Sequence, residues 1–198
     1  MSIIILREKC HMDRREFLKH CAVGMTINTA SLPLLKTVRA DDMTVKQDID
    51  PAELAARVYE HFIPGKLTCG ESILMAGCEA LGIQSELISD IALGLGGGVG
   101  LQGNVCGVLT GSALVLSLAI AQKEKEYPKK KMATFQAVGR VYNAFKERIG
   151  DTQCRTLCGL DLTTPEGRKK LEGGIKKQVC TRFVKVGAEL LAEELQRL

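Results

Sequence analysis

The chain has 198 residues, 45% of them hydrophobic, with 27 Lys and Arg against 23 Asp and Glu. That length suits one domain plus an end segment, and the formal net charge of +4 is too small to mark a nucleic-acid-binding domain, whose affinity rests on basic surface. Eight cysteines with only three histidines disfavour histidine triads and histidine-rich metal sites and turn attention to sulfur.

Residues 1–40 do not read as part of a domain. Arg14-Arg15-Glu16-Phe17-Leu18-Lys19 resembles a twin-arginine export signal, a weakly apolar stretch follows, and Val38-Arg39-Ala40 suits cleavage by a signal peptidase. Residues 1–11 sit poorly ahead of such a signal, so Met12 is the expected start. This implies passage through the twin-arginine translocase and a periplasmic or other extracytoplasmic location, including association with a membrane. The leader carries seven Lys/Arg and three Asp/Glu, which leaves 20 of each in the rest. The expected mature domain is therefore neutral. It keeps Cys69, Cys78, Cys106, Cys154, Cys158 and Cys180. Export with six cysteines suits three disulfides; folding before export suits a cofactor inserted in the cytoplasm. Both readings stand at this point.

Residues 41–49 read as a linker and 50–198 as the domain. Asp50-Pro51-Ala52-Glu53 is a helix start, with Asp as N-cap and Pro in the first turn, and Pro64-Gly65 ends that helix. Thr68-Cys69-Gly70-Glu71 is a capping box opening a helix to about Leu81. Cys69 falls in its first turn, and Cys78, nine residues on, faces the opposite side. Ser85 is expected to cap a third helix with Ile88, Ile91, Ala92 and Leu95 on its apolar face.

The stretch 94–111, GLGGGVGLQGNVCGVLTG, then concentrates glycine before the most apolar helix, 105–121, which Asn104 is expected to cap. That helix is uncharged and 17 residues long, at the short edge of a membrane span; Thr110, Ser112 and Ser117 favour a central buried helix. A charged turn around Pro128 leads to a fifth helix, with Met132, Phe135, Val138, Tyr142, Phe145 and Ile149 as its stripe. Asp151-Thr152 should cap a short helix carrying Cys154 and Cys158, which share a face at i, i+4. Thr164-Pro165-Glu166 starts another short helix ended by Gly173-Gly174. The last helix sets Val179, Phe183, Val186, Leu190 and Leu195 on one stripe. No segment alternates with period two. The expected fold is all-α, a compact bundle of about six to eight helices around a central apolar helix entered through glycines.

Gly98-x-Gly100-x-x-Gly103 matches a dinucleotide fingerprint literally, but a helix rather than a strand precedes it, so no nucleotide is expected. No Cys-x-x-Cys-His occurs, so covalent c-type haem is not signalled. Cys69, Cys106 and Cys154 each fall at an expected helix start, where free amides and the helix dipole lower a thiol pKa. Four thiolates suit an iron–sulfur cluster or another metal, two suit a reversible disulfide, and disulfide staples or buried apolar cysteines remain open.

The run GGGVGLQGNVCGVLTG, with Cys69-Gly70-Glu71-Ser72-Ile73-Leu74 upstream and Cys154-Arg155-x-Leu157 and Cys180 downstream, resembles the C_GCAxxG_C_C family of redox-active proteins over roughly residues 52–190. The family's Cys-Gly-Ala-x-x-Gly motif reads here as Cys106-Gly107-Val108-Leu109-Thr110-Gly111, with Val108 in place of Ala. The resemblance carries the four family cysteines onto Cys69, Cys106, Cys154 and Cys180, with Cys78 and Cys158 as extras. The chain is also similar to split-Soret cytochromes c, without their haem-attachment motif. The family resemblance implies a redox protein; taken with the export signal and the thiolate chemistry, the leading expectation is an exported redox or electron-transfer protein whose four cysteines converge on an iron–sulfur cluster or other thiolate-bound metal. Amides near Gly98, Gly100, Gly103 and Gly107 would face that centre. The alternatives are a thiol–disulfide protein, with Cys154 and Cys158 as a possible local pair, and a disulfide-stapled interaction domain. A redox partner, a membrane transporter or an electron-transfer complex is the expected partner.

Overall fold

The computed structural model describes residues 49–198, which fall within one compact unit. The export signal, the Met12 start and most of the 41–49 linker lie outside the described residues. The described part is all-α. None of its helices is long and apolar enough to cross a membrane.

The two helix starts expected from capping chemistry form as read. In α1 (Pro51–Phe62) the Asp50 carboxylate accepts the Ala52 N–H at 2.8 Å. In α2 (Cys69–Ala80) the Thr68 hydroxyl accepts the Glu71 N–H, and the Glu71 carboxylate accepts the Thr68 N–H. The Ser89 hydroxyl donates to the other Glu71 oxygen at 2.9 Å. Burial pushes the Glu71 carboxyl up, but the bonds from Thr68 and Ser89 outweigh it and hold the group below its ordinary pKa, as expected for a carboxylate accepting several hydrogen bonds.

Helix α3 (Ile88–Leu93) differs from expectation. Ser85 does not cap it; its hydroxyl accepts the Leu87 N–H one turn earlier, and the helix has no side-chain cap. Ile91, assigned to the apolar face, is 60% exposed, because only Ala92 of this short helix turns fully into the core.

Helix α4 (Gly107–Lys123) is the centre of the bundle and packs on α2, on α5 (Tyr127–Ile149) and on the last helix, α8 (Thr181–Gln196). Val108, Leu109, Val115, Leu116, Ala119 and Ile120 are buried, each worth roughly 1.5–3 kcal/mol for the larger side chains. Its hydroxyls do not disturb this core. Ser112 donates to the Val108 carbonyl and Ser117 to the Ala113 carbonyl, so each is satisfied by the preceding turn. Asn104 is not its N-cap. Cys106 occupies that position, without a side-chain cap bond.

Helix α5 begins at Tyr127, with Pro128 in its first turn, so the expected turn is a helix start where Pro needs no N–H partner. The expected stripe holds over Val138, Tyr142, Phe145 and Ile149, which lie in or against the core. Ala137, Val141 and Phe145 are buried, whereas Met132 and Phe135, assigned to the core stripe, face outward. Across the bundle Arg140 grips the buried Glu194 of α8 with bonds of 2.6 and 3.1 Å. Between them lie the short helices α6 (Cys154–Cys158) and α7 (Pro165–Lys170). Asp151 does not cap α6 directly; its carboxylate accepts the Thr152 and Gln153 N–H groups just before it. Thr164 caps α7 as read. From there Leu171–Cys180 winds as a wide π-type stretch broken at Gly174, with φ of 145°.

Candidate functional site

Five cysteines line one cavity of about 310 Å³: Cys69, Cys106, Cys154, Cys158 and Cys180. Its other walls are mostly apolar, including Phe62, Leu93, Leu101, Leu162 and Phe183. Two lysines reach it, Lys66 and Lys176, and the Lys176 ammonium lies over the Phe62 ring at 4.9 Å. Cys78 is buried in the core and does not line the cavity, as its position opposite Cys69 on α2 requires.

The backbone explains the convergence. A single antiparallel bridge joins Val105 to Gln153. The Cys106 N–H donates to the Thr152 carbonyl at 2.8 Å, and the Cys154 N–H donates to the Asn104 carbonyl at 2.7 Å. This clamps the starts of α4 and α6 side by side. Tyr142 anchors the clamp from α5 by a 2.9 Å bond to the buried Thr152 hydroxyl. Cys69 opens α2, Cys106 caps α4 and Cys154 opens α6. Three helix starts therefore meet at the sulfurs. Cys180 arrives at the junction with α8.

The glycine stretch has a defined conformation. Gly97, Gly98, Val99, Gly100 and Leu101 are consecutive residues with φ between 59° and 73°. This is a left-handed turn, favoured for glycine and costing roughly 1–2 kcal/mol for each residue with a β-carbon. Gly96, Gly97 and Gly100 line the cavity. Gly98 and Gly103, expected to face the centre, do not line it; they allow close packing against the Asn104 backbone and Arg155 instead. Gly107 does face the centre. A β-carbon added there would lie 2.6 Å from Cys69 Sγ.

Electrostatics single out Cys69. Its pKa is lowered, chiefly because the Cys106 thiol donates to its sulfur; burial opposes, and the amides of Gly70, Gly107 and Cys69 add to the stabilisation. Cys106 is pushed well up, first by sharing its proton with Cys69 and then by burial. Cys154 is raised by burial and by Cys69 and Cys158. Cys180 is pushed up to about 12 by burial, then by Cys69 and Cys158, with Lys176 opposing. The expectation of depressed values at three helix starts thus holds for Cys69 alone, because several neighbouring thiols in one apolar site cannot all ionise. Cys158, read as an extra, belongs to the cavity wall and to the shell of Cys154. Lys66, Lys176 and the two phenylalanines had no distinguishing signal in the sequence.

The donor set is therefore a dithiol pair, Cys69 and Cys106, within a wider group of thiols. Among the described residues, no three His, Cys, Asp or Glu side chains are placed together so as to hold a metal ion.

Residues 67–194 match the family described as "Putative redox-active protein (C_GCAxxG_C_C)". The chain belongs to this family. An uncharacterized protein of Archaeoglobus fulgidus is 29% identical over 154 residues, which cover 74% of this chain and 99% of that protein. No solved structure matches. The family match spans all five cysteines of the cavity.

Proposed function

We propose that this redox-active family member works through thiol–disulfide exchange, with Cys69 as attacking thiolate and Cys106 as its resolving partner. The observation that carries this is the Cys69 sulfur, which shares the cavity with Cys106 and packs on the Gly107 backbone so closely that a β-carbon there would lie 2.6 Å from it. The Cys69 thiolate attacks a disulfide of a partner, forming a mixed disulfide and releasing one partner thiolate. Cys106, losing its proton to that thiolate or to solvent, then displaces the second partner sulfur and closes the Cys69–Cys106 bond. Two electrons pass to the partner, and reduction by a dithiol reverses the sequence. The test is mass-spectrometric mapping of the protein after equilibration in dithiothreitol buffers of graded potential. A Cys69–Cys106 disulfide that forms and breaks reversibly supports the reading. Two thiols that stay alkylatable under the most oxidising buffer sink it.

A second reading assigns Cys69, Cys106, Cys154 and Cys180 as ligands of an iron–sulfur cluster or another metal. It is favoured by the presence of all four in one cavity. As they are placed they do not compose a ligand set, so no step is derived through a metal. Iron, zinc and acid-labile sulfide analysis of anaerobically prepared protein decides between the two. The twin-arginine motif at Arg14-Arg15 supports an exported location for either chemistry. Changing both arginines to lysine in a reporter fusion should then abolish export.

A further inference from the structure

The start of α5 presents an apolar ridge to the outside. Tyr127 is 68% exposed, Met132 53% and Phe135 60%. The helix buries Ala137, Val141 and Phe145; at about 100° per residue Met132 and Phe135 lie on the side away from them, while Tyr127 stands at the helix start in line with Phe145. Met132 and Phe135 are three residues apart and neighbours on one helical face.

The ridge is set among lysines. Residues 123–131 hold five lysines, at 123, 125, 129, 130 and 131, against Glu124 and Glu126, a net charge of +3. Lys131 lies with its ammonium 5.7 Å from the Phe135 ring centre, and Lys129 pairs with Glu126 at 2.6 Å. Apolar and aromatic side chains flanked by long basic ones make the complement of a layer that is anionic at its surface and hydrocarbon beneath. The lysine stems can lie along the apolar surface with their ammonium groups in the headgroup layer. No described helix is able to span a bilayer, so contact through this face is peripheral.

We infer that the outward face of α5 around Met132 and Phe135 docks on a bilayer rich in anionic phospholipid. Phe135 and Met132 enter the boundary between headgroups and acyl chains, and Lys129 and Lys131, on either edge of that face, meet lipid phosphates. No residue of α5 lines the cysteine cavity, so this inference is independent of the thiol chemistry.

The absence of tryptophan from the chain supplies the test. In the full-length protein, Phe135→Trp places a single tryptophan on the ridge; Met132→Trp is the second variant should the first fail to fold by circular dichroism. Vesicles of phosphatidylglycerol should shift the emission of either variant to the blue and allow quenching by brominated acyl chains. Vesicles of phosphatidylcholine should do neither. Changing Lys129 and Lys131 together to Gln should weaken the partitioning about 30-fold at low salt, with the alkylation rate of Cys69 unchanged. An emission spectrum unmoved by the anionic vesicles overturns the inference, as does an equal shift with neutral ones. A blue shift that grows with protein concentration without lipid assigns the face to a second copy of the chain and overturns it too. Because the tryptophan reports its own surroundings, binding through the N-terminal segment alone leaves it unshifted.

Discussion

Cys69 Sγ rests on the backbone of Gly107 so closely that a β-carbon there would approach it to 2.6 Å and the Gly70 nitrogen to 2.9 Å. The first residue of α4 must therefore be glycine if the first residue of α2 is to place its sulfur among the amides. Gly107→Ala should displace the Cys69 side chain and remove amide contacts from its thiolate. The Cys69 pKa should rise, so that less of it is thiolate near neutral pH and its labelling profile moves to higher pH. Iodoacetamide labelling of Cys69 with peptide mapping measures it, and circular dichroism should show the helices retained.

Cys69 should label at lower pH than Cys106, Cys154 or Cys180. Its pKa lies below the ordinary thiol value of 9.0, whereas Cys106, Cys154 and Cys180 lie above theirs. In Cys106→Ala the largest stabilising contact is gone, so the Cys69 labelling profile should move to higher pH. An unmoved profile would mean that the amides alone hold the thiolate.

Alkaline stability follows from the same thiols. Burial raises Cys78 from 9.0 to about 11 and Cys180 from 9.0 to about 12. Their neutral forms are favoured in the folded protein, and the unfolded chain releases these protons first. This contribution to stability is fully present below about pH 9 and is lost as pH rises to about 11–12. Thermal melts of the reduced protein should show the midpoint falling over that window, and Cys78→Ala should flatten the fall.

Phe145 is fully buried where α5 meets α8 and lies near Gly187. Phe145→Ala should cost about 3–5 kcal/mol by cavity formation, read by urea denaturation. Phe135→Ala, ten residues earlier on the same helix but exposed, should cost a small fraction of that.

That contrast marks where the sequence is legible. Helix starts at Asp50, Thr68 and Thr164 are local chemistry, because the cap, its proline or glutamate and its target amide lie within four residues. The centrality of α4 is also legible, since an uncharged helix needs apolar neighbours on every side. How much of the α5 stripe is covered is not. Met132 and Phe135 keep helical spacing, yet whether a stripe is covered depends on helices distant in sequence, and Pro128 reads equally as a turn or as a first helical position. For the site, the four family cysteines were visible, and the structure brings all of them to one cavity. Their pairing was not, because the Val105–Gln153 bridge spans a long stretch of chain with no local signal. Glycine content alone could not distinguish a left-handed turn from amides aimed at a ligand; the structure divides these roles between Gly97–Leu101 and Gly107.

The cavity draws its sulfurs from α2, α4, α6 and the junction before α8, so its sequence separation is nearly that of the whole domain. Contacts of this kind form late, after the chain has met the entropy of its longest closures. A growing chain that lacks α8 already carries all of these thiols but not the environment that distinguishes them. The reactivity contrast between Cys69 and its neighbours is therefore a property of the completed fold alone, and it serves as a chemical reporter of when synthesis and folding have both finished.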